Sequence, residues 1–105
     1  MRMMMKVSMP VNQSSKALKE GMLQKVVMGF VETAKPEATY FTTENGKRTG
    51  LLFFEMNDSK LMPTLAEPFF QTLDAEVTFT PVMDLSDMKA GIDKAAKIIC
   101  LPTSH

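Results

Sequence analysis

Between Thr49 and Asp84 the chain reads strand, helix, strand, and the first of these strands carries the residues that most restrict the fold. Leu51, Leu52, Phe53 and Phe54 are four apolar side chains in succession. Neighbouring side chains on a strand point to opposite faces, so an unbroken apolar run belongs to a strand that leaves water on both. Helices of the same chain can cover one face. A chain of 105 residues suits a single domain that buries roughly 60–70% of its unfolded surface, which leaves little to cover the other face. Large exposed apolar patches are uncommon on monomers, so the run predicts a homodimer formed through a sheet face.

The remaining elements follow from periodicity. Met3, Met5, Val7 and Met9 alternate with Met4, Lys6 and Ser8, the period of a strand, and Pro10 closes it. Side-chain oxygens of Asn12, Gln13, Ser14 and Ser15 suit a helix cap. Leu18, Met22, Val26, Gly29, Phe30 and Thr33 then recur at helical spacing, widened by Leu23, Val27, Val31 and Ala34, and predict one helix ending before Pro36. Glu37 to Glu44, rich in Thr, Tyr and Phe, predicts a strand, and Asn45-Gly46 a tight turn into the next strand. Asp58 and Ser59 offer a cap for a helix through Leu61, Met62, Leu65, Ala66, Phe69, Phe70 and Leu73. Pro63 fits its first turn; Pro68 is expected to bend or break it. Ala75 to Met83 alternates again, with Pro81 assigning that strand to an edge or bulge. A last helix opens at Asp84, carries Leu85, Met88, Ile92, Ala95, Ala96 and Ile99 on one stripe, and stops near Pro102, with residues 103–105 a frayed tail.

Together these give a single domain over residues 1–105 of class α+β, a ferredoxin-like β-α-β-β-α-β sandwich plus a C-terminal helix. The expected sheet is four-stranded and antiparallel. Right-handed crossovers are taken to set the first and third strands at its centre, parallel to each other, with the second and fourth at the edges. This order resembles the dimeric α/β-barrel superfamily, as do the stretch Phe53-Phe54-Glu55-Met56-Asn57-Asp58 leading into a proline-interrupted helix and Val77-Thr78-Phe79-Thr80-Pro81-Val82-Met83-Asp84. More narrowly, the chain is similar to small, functionally uncharacterised bacterial members of that superfamily. The resemblance implies two sheets paired face to face into a barrel, often around a small-molecule cavity. It also implies a range of activities, among them cofactor-independent monooxygenases, haem degraders, lactone isomerases and haem peroxidase-like enzymes. None carries over residue by residue: the chain has no Trp, and its one histidine, His105, stands in the tail.

Alternation names the residues expected on the face turned to a partner. If Met3, Met5, Val7 and Met9 face the helices, then Met4, Lys6 and Ser8 face away, with Leu51, Phe53 and Glu55, and with Thr78, Thr80 and Val82. On the second strand Tyr40 is preferred to Phe41, because an aromatic ring with a polar tip suits a half-wet cavity. Met4, Lys6, Ser8, Tyr40, Phe53, Glu55, Thr78 and Thr80 therefore form the candidate ligand cavity. Lys6 and Glu55, on adjacent central strands, are expected to be near enough for an ion pair. These two and Tyr40 are the candidate acid, base and proton donor if the cavity is catalytic.

Other chemistry lacks its residues. Twelve Lys plus Arg balance twelve Asp plus Glu with no run longer than two, which gives no footprint for nucleic acid or an anionic membrane surface. Asp84 and Asp87 have the spacing of a helix cap rather than of a metal pair. One Cys and one His give no zinc set, and the five glycines form no phosphate loop, so no metal or cofactor is expected. Lys47 and Arg48 are expected in a solvated turn. Cys100 reads as a small hydrophobe near the end of the last helix and as compatible with a reducing compartment. The N-terminal stretch lacks the apolar core of a secretion signal, and no run approaches the roughly 20 apolar residues that span a bilayer. The expectation is a small cytoplasmic homodimer of unassigned function that holds an apolar or mildly polar small molecule in a barrel cavity, between sheet and helices or sheet and sheet, or holds none. The alternatives are a cofactor-independent monooxygenase or isomerase acting on an aromatic or lactone substrate, and a structural module whose barrel is filled by side chains.

Overall fold

The computed structural model describes residues 1–99; Cys100, the helix stop near Pro102 and the tail to His105 lie outside them. The described elements are β1 (Arg2–Met9), α1 (Val11–Lys19), α2 (Met22–Ala34), β2 (Ala38–Glu44), β3 (Lys47–Glu55), α3 (Leu61–Leu73), β4 (Glu76–Pro81) and α4 (Leu85–Ile98). The four strands form one open sheet in the order β2-β3-β1-β4, antiparallel at every pairing. The class is α+β and the arrangement is consistent with a ferredoxin-like fold.

The expected parallel run of the two central strands is wrong. The helical crossover carries the chain from β1 to β2 in the same direction, and the hairpin then reverses it, so β3 must run against β1 when it enters between them. The hairpin itself is as expected. Asn45 and Gly46 both take positive φ, 55° and 73°, and the register pairs Glu44 with Lys47 across this two-residue turn.

The predicted first helix is two helices. Gly21 adopts φ 77° and starts α2 in a new direction after α1 has ended at Glu20. Only glycine takes that left-handed conformation freely, so a stripe that looks continuous in sequence is cut by one backbone angle. Nor do Asn12 to Ser15 cap α1: the cap position is Pro10, with no side-chain hydrogen bond. Ser14 is instead fully buried, its hydroxyl donating to the Val11 carbonyl (3.3 Å) and accepting from Arg48 Nη1 at 2.8 Å. Arg48 also donates to Ser15 Oγ at 3.0 Å. It therefore turns onto α1, rather than into solvent as expected of the hairpin tip.

On α3 the cap position is Lys60, again without a side-chain bond, while Asp58 Oδ1 accepts from the Lys60 N–H (2.9 Å) and closes the preceding turn. Pro68 lies inside α3, yet the helix runs on to Leu73 unbroken. Burial of Leu65, Phe69 and Leu73 against the sheet holds the turn that one missing N–H would otherwise release.

The core lies between the sheet and α1 to α3. Met3, Met5, Val7 and Met9 alternate buried along β1, Leu52 and Phe54 do so along β3, and Val26, Phe30, Leu65 and Phe69 meet them from the helices. Phe30 is the joint: its ring packs edge-on against Phe54 at 5.6 Å and Phe69 at 6.2 Å, so one side chain links α2, α3 and the sheet. β4 is an edge strand as expected, with Pro81 opposite Met3 at its end.

The last helix forms where predicted but does not bury its stripe. Asp84 accepts from the Asp87 N–H at 2.8 Å and the Asp87 side chain accepts from the Asp84 N–H, a complete capping box. Beyond it α4 buries no residue, and Leu85, Met88 and Ile92 are exposed. The radius of gyration is 17.5 Å, against about 13 Å for a compact chain of this size. No described helix is long and apolar enough to cross a membrane.

Candidate functional site

The sheet face opposite the helices is bare, and the strand register fixes its composition. Across it run the rows Met4, Phe53, Ala38 and Thr80; then Lys6, Leu51, Tyr40 and Thr78; then Ser8, Thr49, Thr42 and Glu76. Arg2 and Glu55 sit opposite each other at one end. All eight residues expected in the cavity (Met4, Lys6, Ser8, Tyr40, Phe53, Glu55, Thr78 and Thr80) share this face. Met4, Leu51 and Phe53 are half-buried by their neighbours and, among the described residues, covered by no other element. Tyr40, 61% exposed, stands edge-on to the Phe53 ring at 6.2 Å.

The expected Lys6–Glu55 pair does not form. Four residues along the strand separate their rows, about 13 Å at 3.3 Å per residue. Lys6 Nζ instead meets Glu44 Oε1 at 2.5 Å, while Glu55 is bound by the α-amino group of Met1. The Lys6–Glu44 bridge spans β3 diagonally over Thr49. That accounts for a threonine on the open face being 1% exposed.

At the Arg2 end three charges meet. Arg2 Nε donates to Glu37 Oε1 at 2.6 Å, and Arg2 Nη1 stands 3.5 Å from Asp84 Oδ2. The two carboxylates raise the guanidinium pKa above its ordinary value, Glu37 contributing most. The Asp84 carboxyl is held below its usual range chiefly by the Asp87 N–H; burial pushes it the other way, and the hydrogen bond from Arg2 adds a smaller downward pull. Arg2 thus ties the approach to β2 to the start of α4 across the end of the sheet.

These contacts leave two clefts on the open face. The larger, about 460 Å³ and wide open, has an aromatic and apolar wall of Tyr40, Phe53, Ala38, Val82 and Met83 and a charged end of Arg2, Glu37 and Asp84. The smaller, about 200 Å³, is polar, with Lys6, Ser8, Glu44, Asn45, Glu76 and Thr78. The candidate set is therefore divided: Tyr40 and Phe53 line the first, Lys6, Ser8 and Thr78 the second, and Met4, Glu55 and Thr80 line neither. Arg2, Glu37 and Glu44 were absent from the sequence-derived set. Glu37 and Glu44 are 35 and 38 residues from their partners, and nothing local marks such a pair. Asp84 was legible only as a cap. Chemically, the large cleft can hold a flat or branched apolar group beside one hydrogen-bonding function. Among the described residues, no cluster of His, Cys, Asp and Glu is placed to hold a metal ion.

A family model described as a domain of unknown function, DUF3303, matches residues 1–96. No curated protein and no solved structure matches the chain.

Proposed function

Since the chain belongs to the DUF3303 family, whose description assigns no activity, we propose from the geometry that it is a homodimer built by apposing two open sheet faces. A small apolar or mildly polar molecule is held between them. One observation carries this reading: Met4, Leu51 and Phe53 form an apolar centre on a sheet face that, among the described residues, no element covers. Water against such a face is unfavourable by about 25 cal/mol per Å², and a second copy offers the same surface in return. Apposition also closes the 460 Å³ cleft, whose size and mostly apolar wall fit a ligand site.

Native mass spectrometry of the purified chain from nanomolar to tens of micromolar tests both parts. A dimer mass that is lost in Phe53→Glu supports the pairing, and an additional small mass on the dimer alone supports the ligand. A monomer throughout the range removes the proposal.

A further inference from the structure

Away from the open sheet face, α2 and α3 border a groove of about 310 Å³. Its apolar floor is the buried set Val26, Phe30, Leu65 and Phe69. The volume lies at the small end of the range of ligand sites, and the space between packed helices is one of the places where such sites form.

Two residues open the groove. Gly29 stands in the body of α2, where glycine is a poorer helix former than alanine and no positive φ requires it. A Cβ there would meet nothing within 4 Å, so the wall of α2 is set back at that point. Pro68 acts on the other wall. In α3 the helical partner of the Thr64 carbonyl is the nitrogen of residue 68, and a proline nitrogen carries no hydrogen. A backbone carbonyl is an obligatory acceptor, and Thr64 and Pro68 both line the groove. The helix runs on past them to Leu73, so this open acceptor is held on a rigid wall.

The remaining polar groups set a second requirement. Thr33 spends its hydroxyl hydrogen on the Gly29 carbonyl at 2.8 Å. Lys25, one turn before Gly29, is the only charged residue in the lining and makes no ion pair among the described residues.

We propose that this groove is a second ligand site, separate from the open face, for a small amphiphilic anion. Its apolar body lies over Phe30 and Phe69, an N–H or O–H on that body donates to the Thr64 carbonyl, and a carboxylate or sulfonate sits at Lys25. The site is complete in one copy and does not depend on the face-to-face dimer.

Fluorescence titration of the full-length protein tests it. The probe is an anilinonaphthalene sulfonate whose N–H and sulfonate sit at opposite ends of the naphthalene, compared with its N-methylated form and with uncharged phenylnaphthylamine. Saturable binding of the parent dye is expected. Gly29→Leu fills the groove and should weaken that binding by about tenfold or more. Pro68→Ala restores the N–H that pairs the Thr64 carbonyl within α3, and should weaken the parent dye by about two- to tenfold while leaving the N-methylated dye unchanged. Lys25→Gln should weaken the sulfonate by about two- to fivefold and leave the uncharged dye unchanged. Gly29→Leu and Pro68→Ala both replace poor helix formers, and circular dichroism checks that each variant keeps its fold. Absence of saturable binding, or binding that Gly29→Leu leaves unaltered, overturns the site. Binding lost in Phe53→Glu and kept in Gly29→Leu places the dye on the open face and also overturns it. Equal losses of the parent and N-methylated dyes in Pro68→Ala overturn the role of the Thr64 carbonyl, and a sulfonate held as tightly by Lys25→Gln overturns the anion.

Discussion

Phe53 and Phe54 are neighbours in sequence with the same side chain, and the fold gives them opposite environments, so truncating each in turn tests the sidedness on which the site depends. Phe54 is 1% exposed and packs edge-on against Phe30 at 5.6 Å and Phe79 at 6.5 Å. Phe54→Ala removes a fully buried ring and leaves a cavity, at a cost of about 3–5 kcal/mol. Against a total stability of about 5–15 kcal/mol this is a large fraction. Phe53 is half-buried on the open face, and its one aromatic partner is Tyr40 at 6.2 Å. In a monomer, Phe53→Ala loses about 0.5–1.5 kcal/mol from that ring pair. Urea unfolding followed by circular dichroism separates the two. With a slope of about 1–3 kcal/mol per molar, the midpoint should fall by roughly 1–5 M for Phe54→Ala and by under roughly 1.5 M for Phe53→Ala at the lowest concentration. Raising the protein concentration should then enlarge the Phe53 effect, because in the proposed dimer only that ring faces the second copy, and leave the Phe54 effect unchanged. Equal losses at the lowest concentration, or a Phe54 effect that grows with concentration, would refute the assignment of faces.

Three further outcomes follow from particular contacts. Ser14→Ala should cost about 1–3 kcal/mol by chemical denaturation, because it strips Arg48 of a buried acceptor at 2.8 Å; a neutral result would mean that water replaces the hydroxyl. Gly46→Ala should destabilise the hairpin by about 1–2 kcal/mol, since φ 73° is left-handed, whereas at Gly29, where no positive φ is required and a Cβ meets open space, alanine should stabilise α2 by up to about 1 kcal/mol. The Asp84 carboxyl is depressed in the folded chain, so its support for α4 is fully present above its unfolded value near 3.8. That support disappears as pH falls through the lower folded value. Protection of the α4 amides, the slowing of their exchange relative to an unstructured chain at the same pH, should therefore fall on acidification below about pH 4, and Asp84→Ala, which is already uncapped, should show no such step.

How much of the site was legible depends on the range of the interaction. The alternation of β1 and β3 assigned Met4, Lys6 and Ser8, with Leu51, Phe53 and Glu55, to the face on which the register sets them, but not Arg2 or Arg48; Tyr40 shares that face. The pairing of Lys6 was not legible. Adjacency of the central strands suggested Glu55, but the register sets those two residues four positions apart and brings Glu44 from an edge strand instead. The break at Gly21 was hidden for another reason: an apolar stripe records which residues are buried, not whether the axis that carries them is straight.

Local chemistry determined what the sequence alone could determine. Periodicity separated strands from helices, Asn45-Gly46 produced the hairpin, and Asp84 with Asp87 started the last helix, because each depends on residues within one or two turns of chain. The tertiary structure decided what lies across the sheet. It ran β3 against β1, gathered Glu37 and Asp84 on Arg2, and left the stripe of α4 unburied by the other described residues. Those outcomes depend on strand order and register, which bring distant segments together and have no counterpart in the spacing of neighbouring residues.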